Sequence, residues 1–277
     1  MNSYIAFVIF CFGLLSVNAQ TYKAAFRADV CSCLEEESLK RTLTENTFKA
    51  CLRETLPKYA VQIDAEIVEP DVSKKYYKGQ LARKALLFAM QYELIYSCDV
   101  YFKHLDYQRT SQKLIARENA KESDLEKYNQ MVALTPNAMA YFMRAQLQFN
   151  LGNIKASEAD VLKSLEVNPN KENEKATRHE LLLLASIYEE QEDFSAAVAL
   201  YDKIYIGDYD VEVARLRALS DKKAGGTIAN ISKIGQVEVI KDNTSLKTIE
   251  KTSRRKSRTH KLEKKKDSSS LRKLLKL

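Results

Sequence analysis

The sequence predicts an all-α protein: a helical N-terminal domain, a short stack of helical hairpins and a disordered basic tail. Three observations carry that reading. Residues 138–171 read as two antiparallel helices joined by a tight turn. Leu81, Ala82, Ala85, Leu86, Ala89, Leu94, Ile95 and Cys98 form a wide apolar stripe at helical spacing, suited to a core position. Strand-like alternation is scarce, convincing only at 236–240. The chain divides accordingly into 1–19, 20–120, 121–224 and 225–277.

The first segment, Met1 to Ala19, reads as a cleavable secretory signal. Its apolar run from Ile5 to Leu15 is too short to span a bilayer. Val17 and Ala19 supply the small pair that precedes cleavage, here before Gln20, although the segment has no Lys or Arg. Ile9-Phe10-Cys11 is not a lipobox, so no lipid anchor is expected. The expected location is periplasmic or secreted.

In an oxidising compartment the four remaining cysteines, Cys31, Cys33, Cys51 and Cys98, suggest two disulfides. A Cys31–Cys33 bridge would close a strained loop, so each is expected to pair with Cys51 or Cys98. A redox-active CxC pair is the alternative chemistry. A metal site is not predicted, because the spacing is not CxxC and no His lies in the same segment. Thr44 is placed to cap a helix carrying Phe48, Cys51, Leu52 and Leu56, which Pro57 limits.

With Ala138 as position 1, Tyr141 stands at position 4, Ala145 at 8, Gly152 at 15, Ile154 at 17 and Ser157 at 20. Val161, Ser164, Leu165 and Val167 continue the second helix, and Asn168-Pro169 ends it. Small residues at the crossing, Gly at the turn and Pro at the end of 34 residues resemble a tetratricopeptide (TPR) repeat. Arg144 departs from the Leu of position 7, and Gln148 from the aromatic of position 11. A weaker copy fits 178–211, with Leu181, Leu184, Ala185, Tyr188, Phe194, Ala197 and Tyr201 in register. There Glu192 replaces the turn Gly, Tyr209 replaces Pro, and Asp193 is placed to cap the second helix. Glu172 to Thr177 is an insertion expected to loosen or rotate the stack, and 105–137 reads as a degenerate half-repeat. Residues 211–223 read as a closing helix ended by Gly225-Gly226.

The order of motifs resembles secreted TPR proteins of Bacteroidetes-type bacteria: CxC, a single Cys, an aromatic-rich helix with Cys98, then repeats. The TPR resemblance implies a protein or peptide partner held in a concave groove lined by first-helix positions 2, 5, 9 and 12. These are Met139, Phe142, Gln146 and Phe149 in the better copy, and His179, Leu182, Ser186 and Glu189 in the weaker one. The set lacks the Lys/Asn pattern of a carboxylate clamp and suits an apolar or aromatic ligand. The competing reading is that Met139, Phe142 and Phe149 pack internally.

Fifteen Lys and Arg against five acids give residues 225–277 a formal +10. The whole chain is +7 and residues 1–19 are uncharged, so 20–224 carries −3. The tail is therefore read as disordered, with contact to an anionic surface as its candidate role. Leu271, Leu274 and Leu275 would share one helical face there.

No catalytic site and no cofactor are predicted. His104, His179 and His260 are scattered, and neither a Gly-rich phosphate loop nor a GxSxG elbow is present. The acidic runs Glu35–Glu37 and Glu189–Glu190 read as helix surface, and the sequons at Asn230 and Asn243 bear only on a eukaryotic secretory host. Two classes of function remain: a non-catalytic scaffold outside the cytoplasm, or an envelope-surface protein attached to anionic lipid or polysaccharide through its tail.

Overall fold

Residues 22–204 and 210–233 are described by a computed structural model. The signal-like segment, Tyr209, the alternating 236–240 and the Leu271–Leu275 face lie outside the described residues. Every regular element among the described residues is helical, and none is long and apolar enough to cross a membrane.

The first helix, α1 (22–40), buries Tyr22, Phe26, Val30 and Leu34. That four-residue spacing places them on one face. Thr44 caps α2 (Glu45–Thr55) as expected, its hydroxyl accepting the Thr47 N–H at 3.2 Å. At Pro57 the chain tightens into a 3-10 turn (Leu56–Tyr59) before α3 (Ala60–Ala65).

The Asp71 carboxylate accepts the Lys74 N–H at 2.9 Å and so caps α4 (Val72–Ser97). The predicted stripe holds from Leu86 onward, where Leu86, Met90, Leu94 and Ile95 are buried. Leu81 and Ala85 are corrections: both are exposed, Leu81 by 43%, because only Gly79 is buried before Leu86 and the helix outruns what it packs on. Cys98 then takes an extended conformation, which breaks the chain direction between α4 and α5 (Asp99–Asn119).

The four cysteines form two bridges, Cys31–Cys98 and Cys33–Cys51, with Cα separations of 5.5 and 5.7 Å. Cys31, Glu35 and Cys98 lie close enough together to suggest a metal site. Two of its three ligand atoms are the sulfurs of one disulfide, which offers no thiolate.

After a short α6 (Leu125–Leu134) come two antiparallel pairs: α7 (Ala138–Asn150) with α8 (Ile154–Val167), and α9 (Arg178–Glu190) with α10 (Phe194–Ile204). Gly152 turns the first pair at φ 83°, as a residue without Cβ can. Glu192 holds the same place in the second pair at φ 62°, and the Asp193 carboxylate accepts the Ala196 N–H at 3.0 Å. Within the first pair the small residues do what close approach requires. Ala145 and Ser157 are fully buried, and the Ser157 hydroxyl donates to the Ala145 carbonyl at 2.8 Å.

The insertion at 172–177 does not part the pairs. The Asn173 side chain and carbonyl take the N–H groups of Lys175, Ala176 and Thr177, Thr177 is buried, and α8 still packs on α9. Two apolar clusters fill the stack, one of Ala145, Phe149, Val161, Leu184 and Ile187, the other of Leu181, Ala185, Ala197, Tyr201, Ile204 and Val213.

The closing helix α11 (Val211–Lys223) is capped by Asp210 and does more than cover the last pair. Val213 joins the repeat cluster, whereas Ala214, Ala218 and Leu219 enter the core built by α1, α2, α4 and α5. Stack and N-terminal helices thus share α11.

Candidate functional site

The first helices α7, α9 and α11 present the inner face of the stack, and the eight residues predicted there divide into two ends. At one end Met139 (63% exposed), Gln146 and His179 are exposed, and Phe142 is half-buried with its ring 6.5 Å from that of His179. Leu182 is half-buried beside them in sequence register and packs against the second repeat cluster. Phe149 is not part of this surface. It is buried in the stack with Leu184 and Ile187, as the internal reading expected of it.

At the other end Ser186 and Glu189 are already occupied, by α5. The Arg109 guanidinium donates to Glu189 Oε2 through Nε at 2.8 Å and Nη2 at 2.5 Å, and its Nη2 also reaches Ser186 Oγ at 3.3 Å and the Tyr201 hydroxyl at 3.1 Å. Tyr201 and Ser220 donate to Glu189 Oε1 at 2.8 and 2.7 Å. Each carboxylate oxygen thus carries two hydrogen bonds, leaving none turned toward a substrate. One turn on, Lys113 (2.5 Å) and Arg117 both pair with Glu190. From α11, Lys222 pairs with Asp99 at 2.8 Å and Lys223 with Asp106 at 2.5 Å.

The electrostatics follow from this crowding. Burial pulls the Arg109 guanidinium down, but Tyr201 and Glu189 outweigh it and hold the group more firmly charged than usual. Burial pushes the Glu190 carboxyl up, yet Lys113 and Arg117 more than offset that and keep it below its ordinary value. Burial also pushes the Tyr201 phenol up.

The expectation that Glu189 and Glu190 are free helix surface is therefore corrected. Their side chains are 7% and 17% exposed because α5 lies across them. The residues responsible, Arg109, Lys113 and Arg117, carry a signal in their four-residue spacing, but nothing in that spacing names the acidic partner. In the other run Glu35 and Glu36 are exposed as expected, whereas Glu37 is half-buried and pairs with Lys40 and Arg41.

A second polar crossing explains Arg144. Its guanidinium bonds both oxygens of the Asp160 carboxylate at 2.7 Å and donates to Asn129 at 3.1 Å, linking α7 to α8 and α6. Elsewhere, a cleft of about 320 Å³ beside Cys33 is lined by Asp29, Ser32, Glu36, Glu54, Thr55 and Lys58. Lys58 there pairs with Asp29 at 3.6 Å.

With this geometry in place, comparison with known families is decisive for one segment. A family model described as Tetratricopeptide repeat matches residues 138–171. These residues are α7, α8 and the turn after them. The chain carries a tetratricopeptide repeat. Searches of curated proteins and of solved structures each returned no match. TPR units stack into surfaces that hold protein partners, and the pair α9–α10 extends this one by the same packing.

Proposed function

We propose that the protein is a non-catalytic scaffold, working outside the cytoplasm, that holds a protein or peptide partner on the inner face of its repeats. The carrying observation is the open end of that face. Met139, Phe142, Gln146 and His179 lie at first-helix positions of two successive repeats and keep apolar and aromatic surface in contact with water. A location outside the cytoplasm is supported by the signal-like first 19 residues and by the two disulfides, which persist in oxidising compartments.

Phe142→Asp tests the reading. A half-exposed ring accepts the charge without unfolding, so the variant is expected to keep its wild-type circular dichroism and lose its partner in affinity capture. Unfolding, or undiminished capture, would count against the open end as the binding surface.

The charge distribution favours a second reading: a +10 segment at 225–277 on a −3 remainder suits attachment to anionic lipid or polysaccharide. Capture with the full chain and with a chain limited to 20–224 separates the two. Partners kept without the tail support the scaffold, and partners lost with it support surface attachment.

A further inference from the structure

We infer that the second half of α5 is a releasable strap over the inner face. It shuts the Glu189–Glu190 end against a partner helix that carries basic residues at every fourth position. The inference rests on the scaffold reading and names the chemistry of its partner.

The first observation is a contrast in burial. Tyr101 and Leu105 anchor the start of α5, and Ala140 anchors the start of the repeat; from Asp106 to Met139, between them, no residue is buried. A 34-residue stretch of ordered chain therefore contributes no side chain to any of the three apolar clusters. Its outer side leaves Tyr107, Leu114 and Ile115 more than half exposed.

The second observation is what holds the stretch down. Arg109, Lys113 and Arg117 stand on successive turns of one face and engage Glu189 and Glu190, while Asp106 engages Lys223. The Glu190 pairs join partly exposed groups, which add little net stability and weaken with salt, whereas the Arg109–Glu189 pair is largely buried and is the main cost of opening. A helix of about 14 residues without an apolar anchor is marginal by itself. Opening at Asp106 therefore breaks these polar contacts and the light packing of α5 on α7, leaves both disulfides and all three clusters intact, and needs no global unfolding.

The third observation is complementarity. What α5 presents to α9 is a helix face with cations one turn apart, and Glu189 is held in place by the Tyr201 and Ser220 hydroxyls that donate to it. A partner helix with the same spacing meets the same groups once the strap is off, and gains Phe142 and Leu182 further along the face.

The test uses the full, oxidised chain and a fluorescent synthetic peptide of residues 106–119 as probe. Wild type is compared with the triple variant Arg109→Ala/Lys113→Ala/Arg117→Ala, alone and combined with Glu190→Gln. The triple variant is expected to bind the peptide about tenfold more tightly than wild type, a difference of about 1.4 kcal/mol, and Glu190→Gln is expected to remove the gain. Equal binding by wild type and triple variant, binding by neither, or a gain that survives Glu190→Gln overturns the inference. Hydrogen exchange on wild type covers the case in which the variant fails to fold. Amides of 106–119 should exchange through an opening separate from α4 and α9, faster in about 0.5 M salt. Exchange of these amides only with global unfolding would be equally fatal. Neither readout depends on Phe142, so the strap and the scaffold reading stand or fall separately.

Discussion

Arg144 braces three helices at once, and its value lies in the carboxylate it satisfies. Asp160 is buried, and both its oxygens receive hydrogen bonds from the Arg144 guanidinium. Restoring the apolar residue of an ordinary repeat at this position would leave that carboxylate without its partner in the α7–α8 crossing. Removing one member of a buried pair costs about 3–5 kcal/mol. Arg144 keeps about a fifth of its side chain exposed, so solvent screening reduces the figure to about 2–4 kcal/mol. Arg144→Leu should therefore lower stability by that amount in urea denaturation, and Asp160→Ala added to it should return more than half of the loss. A harmless Arg144→Leu would show that the crossing is held by packing alone. Glu192 shows the converse, a departure absorbed by the turn: a residue with a Cβ sits at φ 62° where Gly152 sits at 83°. The strain is of order 1 kcal/mol, and the Asp193 cap helps to offset it.

At the scale of elements, the two disulfides have separate tasks. Cys33–Cys51 ties α1 to α2 across 18 residues, and Cys31–Cys98 ties α1 to the junction of α4 and α5 across 67. By loop-closure entropy the short bridge is worth about 3 kcal/mol and the long one about 4 kcal/mol. Replacing each pair by Ser should lower the unfolding free energy in that order, measured in urea without reductant; variants as stable as wild type would show that the helices pack without the staples. α5 is the element whose two halves differ most. Its first half is anchored by Tyr101 and Leu105, and its second half is held over the repeats by ion pairs, with no buried residue. That division explains why 105–137 resembles a repeat only weakly. Beyond Leu105, which belongs to the N-terminal core, it supplies no side chain to the apolar clusters.

Across the whole molecule, the parts legible in the sequence were those fixed by local chemistry. The turn at Gly152, the caps at Thr44 and Asp193, the small pair Ala145 and Ser157, and the span of the closing helix all depend on neighbours within one hairpin or one turn. What the sequence left open depended on distant partners. The pairing of Cys31 and Cys33 was open between Cys51 and Cys98, since both satisfy the spacing. The entry of Ala214, Ala218 and Leu219 into the N-terminal core could not be seen from a helix whose apolar residues suit either neighbour. The occupied half of the inner face was hidden for the same reason, because Arg109 and Glu189 stand 80 residues apart. Of the predicted face, Met139, Phe142 and His179 remain open to a partner, Phe149 serves the core, and Ser186 and Glu189 hold α5. Photo-crosslinking in the native host tests this division most directly, with a photoreactive side chain placed singly at Met139, at His179 and at Leu39, which is 89% exposed in the N-terminal region. The account predicts a discrete protein adduct from positions 139 and 179 and none from 39. Adducts from 39 alone, or from no position, would contradict it.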